Sequence, residues 1–397
     1  MTDDQTLLMV GVGRMGRPYV DAARRLGVRV HAVEAAERAA LVEPLVDGVT
    51  LVEGGADEAW ARAAWAAAAG ERPAGVVAFS EVHVLAAALL QDALALPGPS
   101  LHAATLSRNK ALQRGRFAAV GVPQPDFAVV DDPARLRDWA RPRLPVVLKS
   151  LSSAGSAGVE LMATVDDLDD ALARRAGEGR FVVEDRLEGP ELSWEAVVVD
   201  GAVVVENVTA KDTTGAPHFV ETAHRTGIVL DPPTAGQVGA LARGVLDGLG
   251  MVTGLVHLEL CLTRSGPAVI EVAVRTPGDF IMDLLGLTYG TDWFELVVRA
   301  ALGRPLPPVP VAPAAYAASW FATPEGRVIA VDGVEAVGAQ PHVVEVEITC
   351  RPGDVVGPVR SSGDRSGHVV VCAPTPQERD AALALVRDTL VIRTEQA

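Results

Sequence analysis

Cysteine is scarce in this chain: three residues in 397, Cys261, Cys350 and Cys372, stand far apart inside apolar, strand-like runs. That spacing excludes a disulfide framework and a cysteine-ligated zinc site, and it suits buried, reduced thiols. Positive charge is also short. Lys and Arg number 35 against 51 Asp and Glu, a formal charge of −16, so no chain-wide basic field attracts nucleic acid or an anionic membrane surface. No apolar stretch is long and uninterrupted enough to span a bilayer, and the opening Met-Thr-Asp-Asp-Gln carries no positive leader. The alanine-rich run from Ala59 to Ala69 contains Trp60, Arg62 and Trp65 and reads as a surface helix packing one face. Internal repeats are absent too. These absences predict a cytoplasmic protein with small-molecule partners, not nucleic acid or membrane.

What is present supports two or three domains, because 49% hydrophobic residues over this length can fill more than one core. Residues 6–12 read as a buried strand entering Gly11-Val-Gly13-Arg-Met-Gly16, followed by a helix from Pro18 to Leu26 and a second strand from Val28 to Val33 that ends at Glu34. Glycines spaced in this way, with an acid after the second strand, suggest a dinucleotide site, but they serve equally to pack a helix closely on a sheet. A strand from Gly75 to Phe79 and a helix from Val82 to Leu94 complete a small doubly wound α/β unit.

Two acids carry the strongest signal. Segments 254–262 and 267–275 alternate apolar residues around Glu259 and Glu271, with Ser265-Gly266 as the turn between them, so a hairpin brings both carboxylates to one place. Paired strand carboxylates repel and need a compensating cation, and oxygen-only ligands point to Mg²⁺. Arg275 follows closely. Upstream lie Lys110 at a helix, Lys149 ending the strand from Pro145, and a loop of small residues, 150–158, able to close backbone N–H groups on an anion. Glu184 ends a strand, and a short hinge through Leu187 leads to Glu191. A proline-rich run at 303–313 precedes strands at 314–321, 328–331, 343–349 and 368–373 and a final helix from Gln377 to Leu390.

In that order these residues resemble the ATP-grasp superfamily of carboxylate–amine ligases, over nearly the whole chain. The resemblance implies an ATP-grasp fold of the α/β (α+β) class. It would have a pre-ATP-grasp Rossmann-like domain at 1–105, an ATP-grasp domain at 106–305 with 150–205 as its lid, and a β-rich, biotin-carboxylase-like closing domain at 306–397. It implies ATP and Mg²⁺ as cofactors, with Mn²⁺ as a substitute. Lys110 and Lys149 would hold the α- and β-phosphates, while Ser153, Gly155 and Ser156 would belong to the loop over the γ-phosphate. Glu184 and the Leu187 backbone would meet adenine, and Glu191 the ribose. Glu259 and Glu271 would hold the metal, with Arg275 on the transferred phosphoryl group.

Many members of the superfamily carry asparagine two residues after the second metal acid, where this chain has Ala273. The bacilysin-type L-amino acid (dipeptide) ligases share the small residue, and segment 218–225 carries Glu221 and His224 as in their substrate-binding segment. Gly278 and Asp279 would shape the same substrate pocket, although Asp279 reads equally well as a helix cap. The activity implied is ATP-dependent joining of a small-molecule carboxylate to an amine through an acyl phosphate. The alternative is biotin-carboxylase-like N-carboxylation with bicarbonate. The branch resembled is often dimeric.

Overall fold

The computed structural model describes residues 5–152, 155–175, 177 and 179–396. Its first unit is a four-stranded parallel sheet of Gly48–Val52, Arg29–Ala35, Thr6–Val10 and Gly75–Val77, in that spatial order. Every residue of Thr6–Val10 is buried, as a strand covered by helices on both faces requires. The Gly48–Val52 strand was not legible beforehand, since it is mostly half-exposed and does not alternate.

The glycine turn packs against its own domain. Gly11 has φ +74°, and a Cβ placed there would meet the His83 ring at 2.0 Å, while one at Gly16 would meet the Val12 carbonyl at 2.5 Å. Glu34 is fully buried, and its carboxylate accepts from the backbone N–H groups of Val12 and Gly13, each at 2.8 Å. The amides that would cradle a pyrophosphate are thus occupied by the acid that would have met the ribose. Gly11→Ala is expected to cost about 1–3 kcal/mol for its left-handed backbone alone. Urea unfolding measures this, and an unchanged midpoint would mean that the turn rearranges freely.

A second, antiparallel sheet consists of Phe127–Val130, Phe181–Asp185, Val146–Ser150 and Val159–Met162, with helices Pro133–Ala140 and Val165–Arg174 closing its core. This sheet runs from Phe127 to Asp185, starting before the lid expected at 150–205 and ending inside that range. Strand Glu191–Val199 instead lies at the middle of the large sheet, paired on both sides, because seven consecutive buried residues need cover on both faces.

The large sheet has eight strands. Gly266–Ala273, Gly254–Thr263, Glu191–Val199, Ala202–Thr213 and Glu221–Arg225 continue directly into Tyr316–Phe321, Gly367–Ala373 and Val343–Ile348. The chain after the proline-rich run therefore extends this sheet through the pairing of Glu221–Arg225 with Tyr316–Phe321. Three further strands, Val355–Val356, Gly326–Asp332 and Val391–Glu395, form a small separate sheet. The expected hairpin is present, with Glu259 directly opposite Glu271 in register. Helix Pro232–Leu249 packs its apolar face under it.

Candidate active site

The helix Lys110–Val120 positions the first cation. Asn109 caps it by accepting from Leu112 N–H at 3.1 Å, and Gln113 splices it to the hairpin by bonding both backbone groups of Val272, at 3.0 and 3.1 Å. Lys110 Nζ consequently rests 2.8 Å from Glu271 Oε1. One turn on, on the same face, Arg114 donates to both oxygens of Glu184 at 2.7 and 3.1 Å and to the Ile270 carbonyl at 2.7 Å. Lys149, on strand Val146–Ser150, reaches the other side of that carboxylate, 2.7 Å from Oε2. Burial opposes ionisation of Glu184, but Arg114 and Lys149 overcome it and hold the carboxyl at about 2.

The sequence did not indicate these two ion pairs of Glu184, which lines the cleft. Its carboxylate is spent on two buried cations, so it orients Lys149, and the segment Asp185 to Leu187 lines the cleft beyond it. The cleft holds a cavity of about 130 Å³. Gly155, Ser156, Leu187 and Glu191 line it with the two lysines, while Ser153 lies outside the described residues. Burial raises the Glu191 carboxyl, helped by the neighbouring charges of Glu259 and Glu221 and opposed by Lys211.

Lys211, on the strand Ala202–Thr213, lies between the two halves of the site, 3.0 Å from Glu259 Oε1 and 3.1 Å from Glu221 Oε1. Burial works against its charge, but Glu259, Glu221 and Glu191 outweigh burial and raise its affinity for a proton. His257 faces carboxylates with both ring nitrogens, Nδ1 3.0 Å from Glu195 and Nε2 3.2 Å from Glu259 Oε1. Burial lowers its proton affinity and the two acids raise it, with a net rise. Glu259 moves the other way: burial favours its neutral form, but Lys211 and His257 hold it well below the usual carboxylate range.

The donor set fits a divalent cation. Glu259 and Glu271 face each other across the hairpin, both line the cleft, and among the described residues each meets its basic neighbours through Oε1. The remaining oxygens form an all-oxygen pair suited to Mg²⁺ and, with Ala273 at the next outward position, no amide joins them.

A second cavity, about 340 Å³, also reaches Glu259 and is lined in part by Phe79, Lys211, His224, Gly278 and Asp279. Asp279 caps nothing; the N-cap of the following helix is Phe280, with no side-chain bond. The Asp279 carboxylate lies 3.0 Å from His224 Nε2 and accepts from Arg365 at 2.9 Å. Burial raises this carboxyl, and the bonds to Arg365 and His224 more than reverse that. Arg365 also stacks on Phe321, its guanidinium carbon 3.8 Å from the ring centroid. Glu221 accepts from Ser362 at 3.2 Å and Ser156 at 3.4 Å. Arg275 lines both cavities and is aimed by Glu81 of the N-terminal unit, 2.9 Å from its Nε.

Sequence reading missed Arg114, Glu195, Lys211, His257 and Arg365. One signal was available for Lys211: the chain has only three lysines, 110, 149 and 211, against 32 arginines. All three are buried at this site.

Residues 142–283 match the ATP-grasp domain family, and residues 319–395 match the L-amino acid ligase C-terminal domain 2. The chain carries an ATP-grasp domain and has the ATP-grasp fold. Its relatives include the L-arginine-specific L-amino acid ligase of Bacillus subtilis, 22% identical over 79% of this chain and 78% of that one. Carnosine synthase 1 of Homo sapiens is 27% identical over 78% of this chain and 41% of its own. An uncharacterised Sinorhizobium fredii protein, 28% identical, is matched over 61% of its length. The chain thus spans less than two thirds of several relatives. Among solved structures, the L-amino acid ligase of Bacillus licheniformis superposes with a TM-score of 0.83 at 21% identity, covering all of both chains. The biotin carboxylase of Campylobacter jejuni superposes at 0.71 and 16% identity, over 99% of this chain and 92% of that one.

Proposed function

We propose that this protein is an ATP-dependent carboxylate–amine ligase that joins amino acids or close analogues through an acyl phosphate, releasing ADP and phosphate. The observation that carries this reading is the common wall of the two cavities. Gly155, Glu221, His257, Glu259 and Arg275 line both, so a γ-phosphate in the first and a carboxylate in the second would meet at Arg275. The L-amino acid ligase and carnosine synthase relatives support amino acids as the substrate class.

In the first step a substrate carboxylate oxygen attacks the γ-phosphorus and ADP leaves; in the second an amine attacks the acyl carbon and phosphate leaves. Lys110 and Lys149 would hold the phosphates, and Glu259 and Glu271 would hold Mg²⁺ or Mn²⁺, which offsets phosphate charge when bound. Arg275 faces the oxygens on which charge develops. Gly155 and Ser156, over the shared wall, would exclude water from the acyl phosphate. Glu221 and the His224–Asp279–Arg365 group would orient the amino-acid substrates. Functionally, residues 1–105 contribute Glu81, 106–305 the nucleotide cleft, and 306–397 Ser362 and Arg365. We place the protein in the cytoplasm, with its thiols reduced.

Phosphate release from ATP and Mg²⁺ across paired L-amino acids, with mass spectrometry of each positive mixture and a separate bicarbonate arm, tests the reading. A dehydrated dipeptide mass appearing with ADP is expected. Turnover that needs bicarbonate and yields no such mass would replace ligation with N-carboxylation.

A further inference from the structure

Glu195 is fully buried and lines neither cavity of the site, yet its carboxylate is held at both oxygens. Oε2 accepts from Asn207 Nδ2 at 2.9 Å and Thr209 Oγ1 at 2.7 Å, and Oε1 faces His257 Nδ1 at 3.0 Å. Asn207 is itself fixed, since its Oδ1 accepts from Gly227 N–H at 3.1 Å and from the Tyr289 hydroxyl at 3.0 Å. A carboxylate anchored in this way in a central strand does not turn. The imidazole it holds points its other nitrogen at Glu259 Oε1, 3.2 Å away, and that same oxygen is 3.0 Å from Lys211.

Neutralising Glu259 does not require His257, because Lys211 already supplies a buried cation. What the ring adds is direction. Two donors converging on one oxygen from different strands fix the carboxylate plane, where one flexible lysine would leave it free to rotate. Space for the ring is made across the ladder, where His257 pairs in register with Ala273; a longer side chain there would compete for the ring's place.

We propose that Glu195 and His257 are positioning residues that fix Glu259 with Oε1 shared between His257 and Lys211 and Oε2 presented to the divalent cation. This rests on the ligase reading of the same site. It follows the general behaviour of metal carboxylates and histidines, whose outer partners set ligand orientation.

The test is Mn²⁺ binding, followed by electron paramagnetic resonance, to the full-length protein loaded with a non-hydrolysable ATP analogue. Glu195→Gln and His257→Gln are expected to weaken Mn²⁺ roughly 10–100-fold. The double variant should be no weaker than His257→Gln, since Glu195 acts through the ring. Analogue binding by Glu195→Gln in EDTA should stay at the wild-type level, which separates positioning from loss of fold, and this isosteric variant carries the test if His257→Gln does not fold. Variants that bind Mn²⁺ within twofold of wild type overturn this proposal alone. A wild-type protein that takes up the analogue but no Mn²⁺ overturns it together with the ligase reading.

Discussion

Arg275→Ala is expected to lower kcat by about 10²–10³-fold while ATP affinity changes little. Among the described residues Arg275 is the only guanidinium lining both cavities, and Glu81 and the Thr276 carbonyl, at 2.9 and 2.7 Å, occupy its Nε and Nη1. These two anchors fix the plane of the group and leave other donors for charge that develops only as the phosphoryl group moves, so its loss falls on the transition state. Arg275→Lys should recover only part of the rate, because an ammonium keeps the charge without the planar fork. Steady-state kinetics with ATP and the best amino-acid pair give the answer. A kcat within threefold of wild type for Arg275→Ala would remove this residue from the chemistry.

Glu184→Gln is expected to destabilise the protein by about 3–5 kcal/mol, the usual effect of removing one partner from a buried ion pair. The glutamine leaves Arg114 and Lys149 buried without their shared anion. The effect depends on pH with a definite sign. The folded-state carboxyl titrates at about 2, below its ordinary 4.5, so its contribution is complete above about pH 4.5 and disappears as pH falls toward 2. Urea midpoints of wild type and variant should differ by a constant amount near neutrality and converge below pH 4.5. A difference under about 1 kcal/mol at pH 7 would mean that the two cations find other partners.

The parts of the site that were legible in the sequence are those formed by short-range pattern. Glu259 and Glu271 showed themselves because period-two alternation and a tight turn fix their register locally. The glycine turn announced a strand–helix unit, and only the fold showed Glu34 filling it. Lys211 escaped because its partners lie on other strands, Glu221 on the adjacent one across a turn and Glu259 two strands away and far along the chain. Arg365 escaped for the same reason on a larger scale: it meets Asp279 only because the C-terminal strands continue the large sheet. Glu184 was placed in the cleft, but its ion pair was not legible, since Arg114, four residues beyond Lys110, looks in the sequence like one more surface arginine.

The confinement of lysine to the cleft has a chemical consequence. An acyl phosphate acylates any free amine it meets, including those of the protein that makes it. Here the surface offers guanidinium groups in place of lysine amines, and each of the three ε-amines lies against a carboxylate: Lys110 on Glu271, Lys149 on Glu184, Lys211 on Glu221 and Glu259. An ammonium held in an ion pair has no lone pair to attack with. Under the proposed ligase reaction, side chains that would bind phosphate and offset charge are thus kept from being nucleophiles, and the arrangement that organises the site would also protect it from an activated intermediate.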